Sequence, residues 1–112
     1  MDSTLDFSRD IYSVARLTSE VRAVLDGSFP LLWVRGEISN LAQPASGHLY
    51  FSLKDEAAQV RCAMFRAKRL LLAFRPENGQ QVLARARGTL YEPRGDIQCG
   101  IERLERGGAG AV

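Results

Sequence analysis

The sequence predicts an all-β barrel of five strands with accessory helices, and three observations carry that expectation. Three segments alternate apolar and polar residues with period two, the signature of half-buried strands, and two more near the C-terminus read as strands. A short segment of helical spacing separates the third strand from the fourth, and an amphipathic helix precedes the first. At 112 residues the chain has room for one domain, which buries roughly two-thirds of its unfolded surface on folding.

The first ten residues show no periodicity and read as a loose lead-in to a domain over 11–105. Val14, Leu17, Val21, Val24 and Leu25 then form one helical stripe, with Ser13 as N-cap and Gly27 as stop. After Pro30 the pattern changes to alternation, with Leu32, Val34, Gly36 and Ile38 on one face and Trp33, Arg35 and Glu37 on the other. The turn formers from Ser39 to Gly47 predict a loop of nine residues. In the second strand Leu49, Phe51 and Leu53 face inward, with His48, Tyr50, Ser52 and Lys54 opposite. Asp55–Ala58 reads as a hairpin connection into a third strand with Val60, Cys62 and Met64 inward and Arg61, Ala63 and Phe65 outward. Ala67, Leu70, Leu71 and Phe74 predict a short helix closed by Pro76 and Gly79. Strands over Gln81–Leu90 and Ile97–Leu104 follow, joined by a turn at Tyr91–Asp96. Residues 106–112, rich in glycine, have the composition of a flexible linker toward a further domain. Five strands with a helix between the third and fourth is the order of an OB-fold, a Greek-key barrel that binds ligands across strands two and three, between the first–second and fourth–fifth loops.

Charge gives the first indication of function. The total is only +2, but from Trp33 to Arg94 ten basic residues face five acidic ones, a net of +5. Thirteen of the fifteen cations are arginine, which binds phosphate through a bidentate fork and stacks on bases. Ala57 to Pro76 holds Arg61, Arg66, Lys68, Arg69 and Arg75 and no anion. By charge alone that run is equally the solvated face of a soluble domain. Its place in the barrel favours binding: Tyr50, Lys54, Arg61 and Phe65 fall on the outer side of the two central strands, with Arg66 just beyond. Aromatic platforms interleaved with cations suit a single-stranded nucleic acid, whose bases stack while its phosphates are tracked by charge. Loop residues Gln43, Ser46, His48, Tyr91 and Arg94, together with Arg35 and Arg85, complete the candidate interface. The competing reading makes Tyr50 and Phe65 a cross-strand pair that only shields the sheet. Trp33 has two open readings, a base platform or packing beneath the helix.

Other chemistries find no support. His48 has no second His or Cys near it in sequence, so it reads as a polar contact rather than a metal ligand or general base. Asp55 and Glu56 suit a turn, and no third carboxylate completes a nuclease metal site. Cys62 and Cys99 fall on strands and read as small apolar groups. No catalytic residue, metal or cofactor is expected on this chain. No apolar run approaches the roughly 18 residues of a membrane span, and the acidic start is unlike a signal peptide, so a cytoplasmic location is expected.

Longer strings carry a family resemblance. WVRGEISNLAQPASGHLYFSLKDEAAQVRCAMFR from Trp33 to Arg66, PENGQQVLARARGTLYEPRGD from Pro76 to Asp96, and the lead-in from Tyr12 to Trp33 resemble the N-terminal domain of the exodeoxyribonuclease VII large subunit. The resemblance implies an OB-fold. It also implies a parent enzyme that degrades single-stranded DNA to oligonucleotides from either end, without added divalent metal. The catalytic centre and the helices that hold several copies of a small subunit are implied to lie C-terminal to this domain, so no catalytic residue transfers here. Two positions depart from the family pattern. Gly100 stands mid-strand where a branched apolar residue is usual, which weakens the strand or marks a bulge, and Ala15 replaces a Ser or Thr near the helix start. Chemistry alone leaves RNA as open as DNA, since nothing in the sequence reads a 2′-hydroxyl. An assembly role for the barrel is the reading from a different class, and the sequence leaves the oligomeric state undetermined.

Overall fold

A computed structural model describes residues 10–107. The order is helix α1 (Val14–Ser28), strands β1 (Leu32–Ala42), β2 (Leu49–Lys54) and β3 (Gln59–Met64), helix α2 (Arg66–Arg69), then β4 (Gln81–Tyr91) and β5 (Asp96–Arg106). The strands close into a barrel in the order β1-β2-β3-β5-β4. Every junction is antiparallel except β3–β5, a short parallel ladder of Arg61 with Gln98, Cys62 with Cys99, and Ala63 with Gly100. This is the five-stranded barrel that the alternation predicts, and closure removes the open edges a flat sheet would expose.

The inward positions fill the barrel. Ile38, Leu49, Phe51, Met64, Val82 and Ala84 are essentially inaccessible, with Leu53, Cys62, Ala86, Ile101 and Leu104 around them. At Gly36 β1 lies tight against β2: a Cβ there would lie 2.7 Å from Leu53 Cγ and 3.1 Å from the Lys54 carbonyl oxygen. The Asp55–Ala58 hairpin forms as expected. Asp55 Oδ1 accepts from the amides of Ala57 and Ala58 at 2.8 and 2.9 Å, and these two donors hold its carboxyl below the usual carboxylate range.

Four local expectations are corrected. The nine-residue loop after the first strand is shorter, because β1 continues through Ser39 to Ala42. It does so by a bulge between Ser39 and Ala42, with Asn40 at φ 52°, a conformation asparagine tolerates better than most residues. The helix expected through Phe74 is a single turn. Leu72 and Phe74 turn in to pack against the core, while Leu70 and Leu71 stay exposed, so tertiary packing overrides the helical spacing. α1 passes Gly27 and ends at Ser28, where the Phe29 amide donates to the Leu25 carbonyl. In β5 the irregularity lies beyond Gly100: Ala86 opposes Ile101 and Arg85 opposes Arg103, leaving Glu102 as the extra residue.

Ser13 caps α1 as expected, its hydroxyl accepting from the Arg16 amide at 3.0 Å. Arg16 is held by Asp10 and Glu20, and Arg22 reaches Glu92 in the β4–β5 turn at 3.0 Å. No residue of α1 is fully buried, and Val14, Leu17, Val21 and Val24 of its apolar stripe are exposed. At its C-terminal end Leu25 and Phe29 meet Leu32, Val34, Ala86, Ile97 and Cys99 around an apolar hollow of about 240 Å³ at one mouth of the barrel. The lead-in over 1–9 and the glycine-rich end over 108–112 lie outside the described residues. Arg106 is the last residue of β5, and the Gly107 amide donates to the Gln81 carbonyl at 3.0 Å. Among the described residues no helix is long and apolar enough to cross a membrane.

Candidate nucleic-acid interface

The pairing of β2 with β3 sets the geometry of the outer face. Tyr50 opposes Ala63, Ser52 opposes Arg61, and Lys54 opposes Gln59. Because side chains alternate, Tyr50, Ser52 and Lys54 share that face with Arg61 and Ala63. Ser52 is nonetheless buried, covered by its neighbours: Arg61 Nη1 donates to Ser52 Oγ at 3.1 Å, and Asn40 Nδ2 approaches the same oxygen at 3.5 Å. Arg61 is therefore anchored to the sheet at Nη1, while the residue as a whole stays exposed.

At the β1–β2 loop end of this face three aromatic rings gather. His48 meets Phe65 edge-on at 5.1 Å between centroids and Tyr50 edge-on at 6.3 Å. The Arg66 amide donates to His48 Nδ1 at 3.0 Å, so the proton of the neutral ring sits on Nε2, which is left to donate. Phe65 comes just after β3, at the N-cap of α2, and is 60% exposed. Tyr50 opposes Ala63 rather than Phe65, so the two rings are not directly opposed across the ladder, and Phe65 meets His48 instead. The Arg66 side chain packs over Gly47, whose φ of 88° lets the loop turn beneath it.

The structure assigns Arg69 a role that the sequence does not show. Its guanidinium donates to the Gly47 carbonyl at 3.0 Å and to Gln43 Oε1 at 2.5 Å, tying α2 to the β1–β2 loop. Within the anion-free run the five cations look alike, and no spacing signal separates a loop clamp from a free charge. Lys68 is likewise engaged, with Glu102 at 3.0 Å. Arg61 and Arg66 make no ion pair among the described residues.

The remaining candidates do not join this cluster. Lys54 lies four residues from Tyr50 along β2, about 13 Å away at strand rise, and is 4.0 Å from Glu37. It shares a polar hollow with Arg35, Glu37, Asp55, Glu56 and Gln81, where the carboxylates outnumber the cations. Arg85 opposes Trp33 across the β1–β4 ladder, its guanidinium 5.4 Å from the centre of the half-exposed indole. Arg94 stands at the same distance over Tyr91 in the β4–β5 turn and is 3.5 Å from Asp96. Since β5 runs parallel to β3, that turn lies at the Gln59 end of the face and the β1–β2 loop at the Phe65 end. The two loops thus bracket the β2–β3 ladder from opposite ends. No cluster of three or more His, Cys, Asp or Glu able to hold a metal ion occurs among the described residues.

Residues 12–105 match the family described as OB-fold nucleic acid binding domain. The chain belongs to that family. This OB domain is also 57% identical over 104 residues to the exodeoxyribonuclease 7 large subunit of Thioalkalivibrio sulfidiphilus and 58% identical over 105 residues to that of Haemophilus influenzae. Those matches cover 93% and 94% of this chain but only 23% and 24% of the relatives, so the chain spans about a quarter of their length. Among solved structures it resembles a replication protein A heterotrimer bound to single-stranded DNA, with a TM-score of 0.56 at 13% identity over 69% of this chain and 57% of that one. An asparaginyl-tRNA synthetase from Pyrococcus horikoshii gives 0.59 at 15% identity over 78% of this chain and 21% of that one. At such identities the likeness is one of fold.

Proposed function

We propose that this OB domain binds single-stranded DNA on its β2–β3 face and presents it to the catalytic part of an exodeoxyribonuclease VII-like large subunit. The observation that carries the proposal is the aromatic cluster of His48, Tyr50 and Phe65 set beside Arg61 and Arg66. Such a surface offers π-faces to unstacked bases and, from Arg61 and Arg66, guanidinium groups that make no ion pair among the described residues, with no demand on base identity. The relatives named as exodeoxyribonuclease 7 large subunits support DNA over RNA and support the nuclease context. The small subunit of such an enzyme is a partner of the parts beyond this chain, and binding here uses no metal or cofactor.

The affinity follows from the charge. A net of +5 over the middle of the chain neutralises only a handful of phosphates, so binding in the micromolar range or weaker and steep in salt is expected, with no nuclease activity. Titrating labelled oligo-dT, oligo-U and a duplex at two salt concentrations, with and without chelator, tests this. Preference for the single strand, unaffected by chelator, is expected; equal or tighter duplex binding contradicts the reading, and a clear preference for oligo-U assigns RNA instead. Changing Arg61 or Arg66 to Ala should weaken binding about equally across base sequences and flatten the salt slope by roughly one unit per lost phosphate contact. Unchanged slopes in both variants would mean that these cations only face water.

The assembly reading has an observation of its own in the exposed stripe of α1. Its occupant, on this reading, is the remainder of a large subunit of which the chain spans about a quarter. Sedimentation equilibrium should then find the isolated OB domain monomeric across concentration, and a dimer that Val21→Glu dissolves would make a second copy the occupant.

A further inference from the structure

The two cysteines occupy positions that their reading as inert apolar groups does not anticipate. Cys62 and Cys99 are direct partners in the β3–β5 ladder, the parallel seam of the barrel. Partners in a ladder point to the same side of the sheet, and their Cα atoms fall within the span a disulfide bridges. Both thiols face the barrel interior, and their accessibility differs. Cys62 is 3% exposed, with its Sγ 3.7 Å from the Val60 carbonyl. Cys99 is only half-buried and lines the apolar hollow at the barrel mouth beneath Leu25 and Phe29.

We propose that Cys62 and Cys99 form an oxidisable dithiol, entered at Cys99 through the barrel mouth and closed to a disulfide by a peroxide. The hollow admits a small neutral oxidant and disfavours a charged one, because its walls are carbon. Attack of the Cys99 thiolate on hydrogen peroxide breaks the O–O bond, giving a sulfenic acid and hydroxide. The Cys62 sulfur then attacks the Cys99 sulfur, forming the S–S bond, and the sulfenic oxygen leaves with the Cys62 proton. In sum two thiols and one peroxide become one disulfide and two waters, with both electrons delivered to the peroxide.

The interaction of the adjacent thiols supports this division of labour: beside Cys99 the pKa of Cys62 is raised, while that of Cys99 is lowered to about 7, toward the reactive thiolate. The bond would staple the seam next to Arg61, whose partner Gln98 precedes Cys99.

Treating the 112-residue chain with hydrogen peroxide and reading its mass under denaturing, non-reducing conditions tests the proposal. The expected product is a monomer lighter by two hydrogens, a peptide map linking Cys62 to Cys99, and a urea midpoint raised by about 1–2 M and restored by reductant. In Cys62→Ser the sulfenic acid should persist on Cys99 and be trapped by dimedone. In Cys99→Ser, Cys62 should remain a free thiol. Two thiols still free after treatment, cross-linking only between molecules, or a Cys62 that reacts first would overturn it.

Discussion

Truncating Phe65 to Ala is expected to weaken oligo-dT binding about 5- to 150-fold, the equivalent of one base–aromatic stack at about 1–3 kcal/mol. Stability should fall by no more than about 1 kcal/mol, because the ring is already 60% exposed and meets His48 only by its edge. Phe65→Trp should restore affinity, since it keeps a π-face at the same place. The urea midpoint and the oligo-dT affinity are to be measured on the same samples. A midpoint that collapses while affinity per folded molecule stays unchanged would make Phe65 a packing residue and remove the main platform from the proposed site.

Phe51→Ala should do the reverse. Its ring is fully buried at the centre of β2, facing the barrel interior and paired across the ladder with Cys62. Emptying a site of this kind costs about 3–5 kcal/mol, which is a large part of the stability of a domain this size. A fall in Tm of more than about 10 °C is the expected result in a thermal scan. Under conditions where the variant is still folded, its affinity should be close to that of the parent, because Phe51 and Tyr50 point to opposite sides of the strand. A loss of affinity without a loss of Tm would mean that the two faces have been exchanged. Together the Phe51 and Phe65 variants separate the wall of the barrel from its outer surface.

The strand faces were legible because period-two alternation is imposed by backbone geometry, and β2 and β3 show it without interruption. What alternation cannot show is how polar side chains use one another. The burial of Ser52 beneath Asn40 and Arg61 depends on a β1 bulge, and the bulge depends on Asn40 adopting a positive φ. The single-turn α2 was overextended in the sequence for a related reason. Leu70 and Leu71 continue a helical spacing, yet the barrel has room only for Leu72 and Phe74. In α1 the stripe was legible and its exposure was not, since a pattern records which residues are apolar and never what covers them.

The candidate interface was legible in part for the same reasons. His48, Tyr50, Phe65, Arg61 and Arg66 do converge, because hairpin pairing brings the end of β3 beside the start of β2. Strand parity alone groups Arg35 and Lys54 with them. Distance along the ladder and the carboxylates of Glu37, Asp55 and Glu56 place them elsewhere. Arg69 was one cation among five, and only its contacts with Gly47 and Gln43 reveal that it holds the loop.

The most direct measurement is a titration of the isotope-labelled chain with oligo-dT, followed by amide and side-chain NMR shifts. The largest changes should fall on His48, Tyr50, Ser52, Arg61, Ala63, Phe65 and Arg66, with smaller ones at Tyr91 and Arg94 and little along α1. Shifts concentrated on α1 or on the Arg35–Lys54 hollow, with the β2–β3 face silent, would contradict the assignment of that face as the single-strand binding surface.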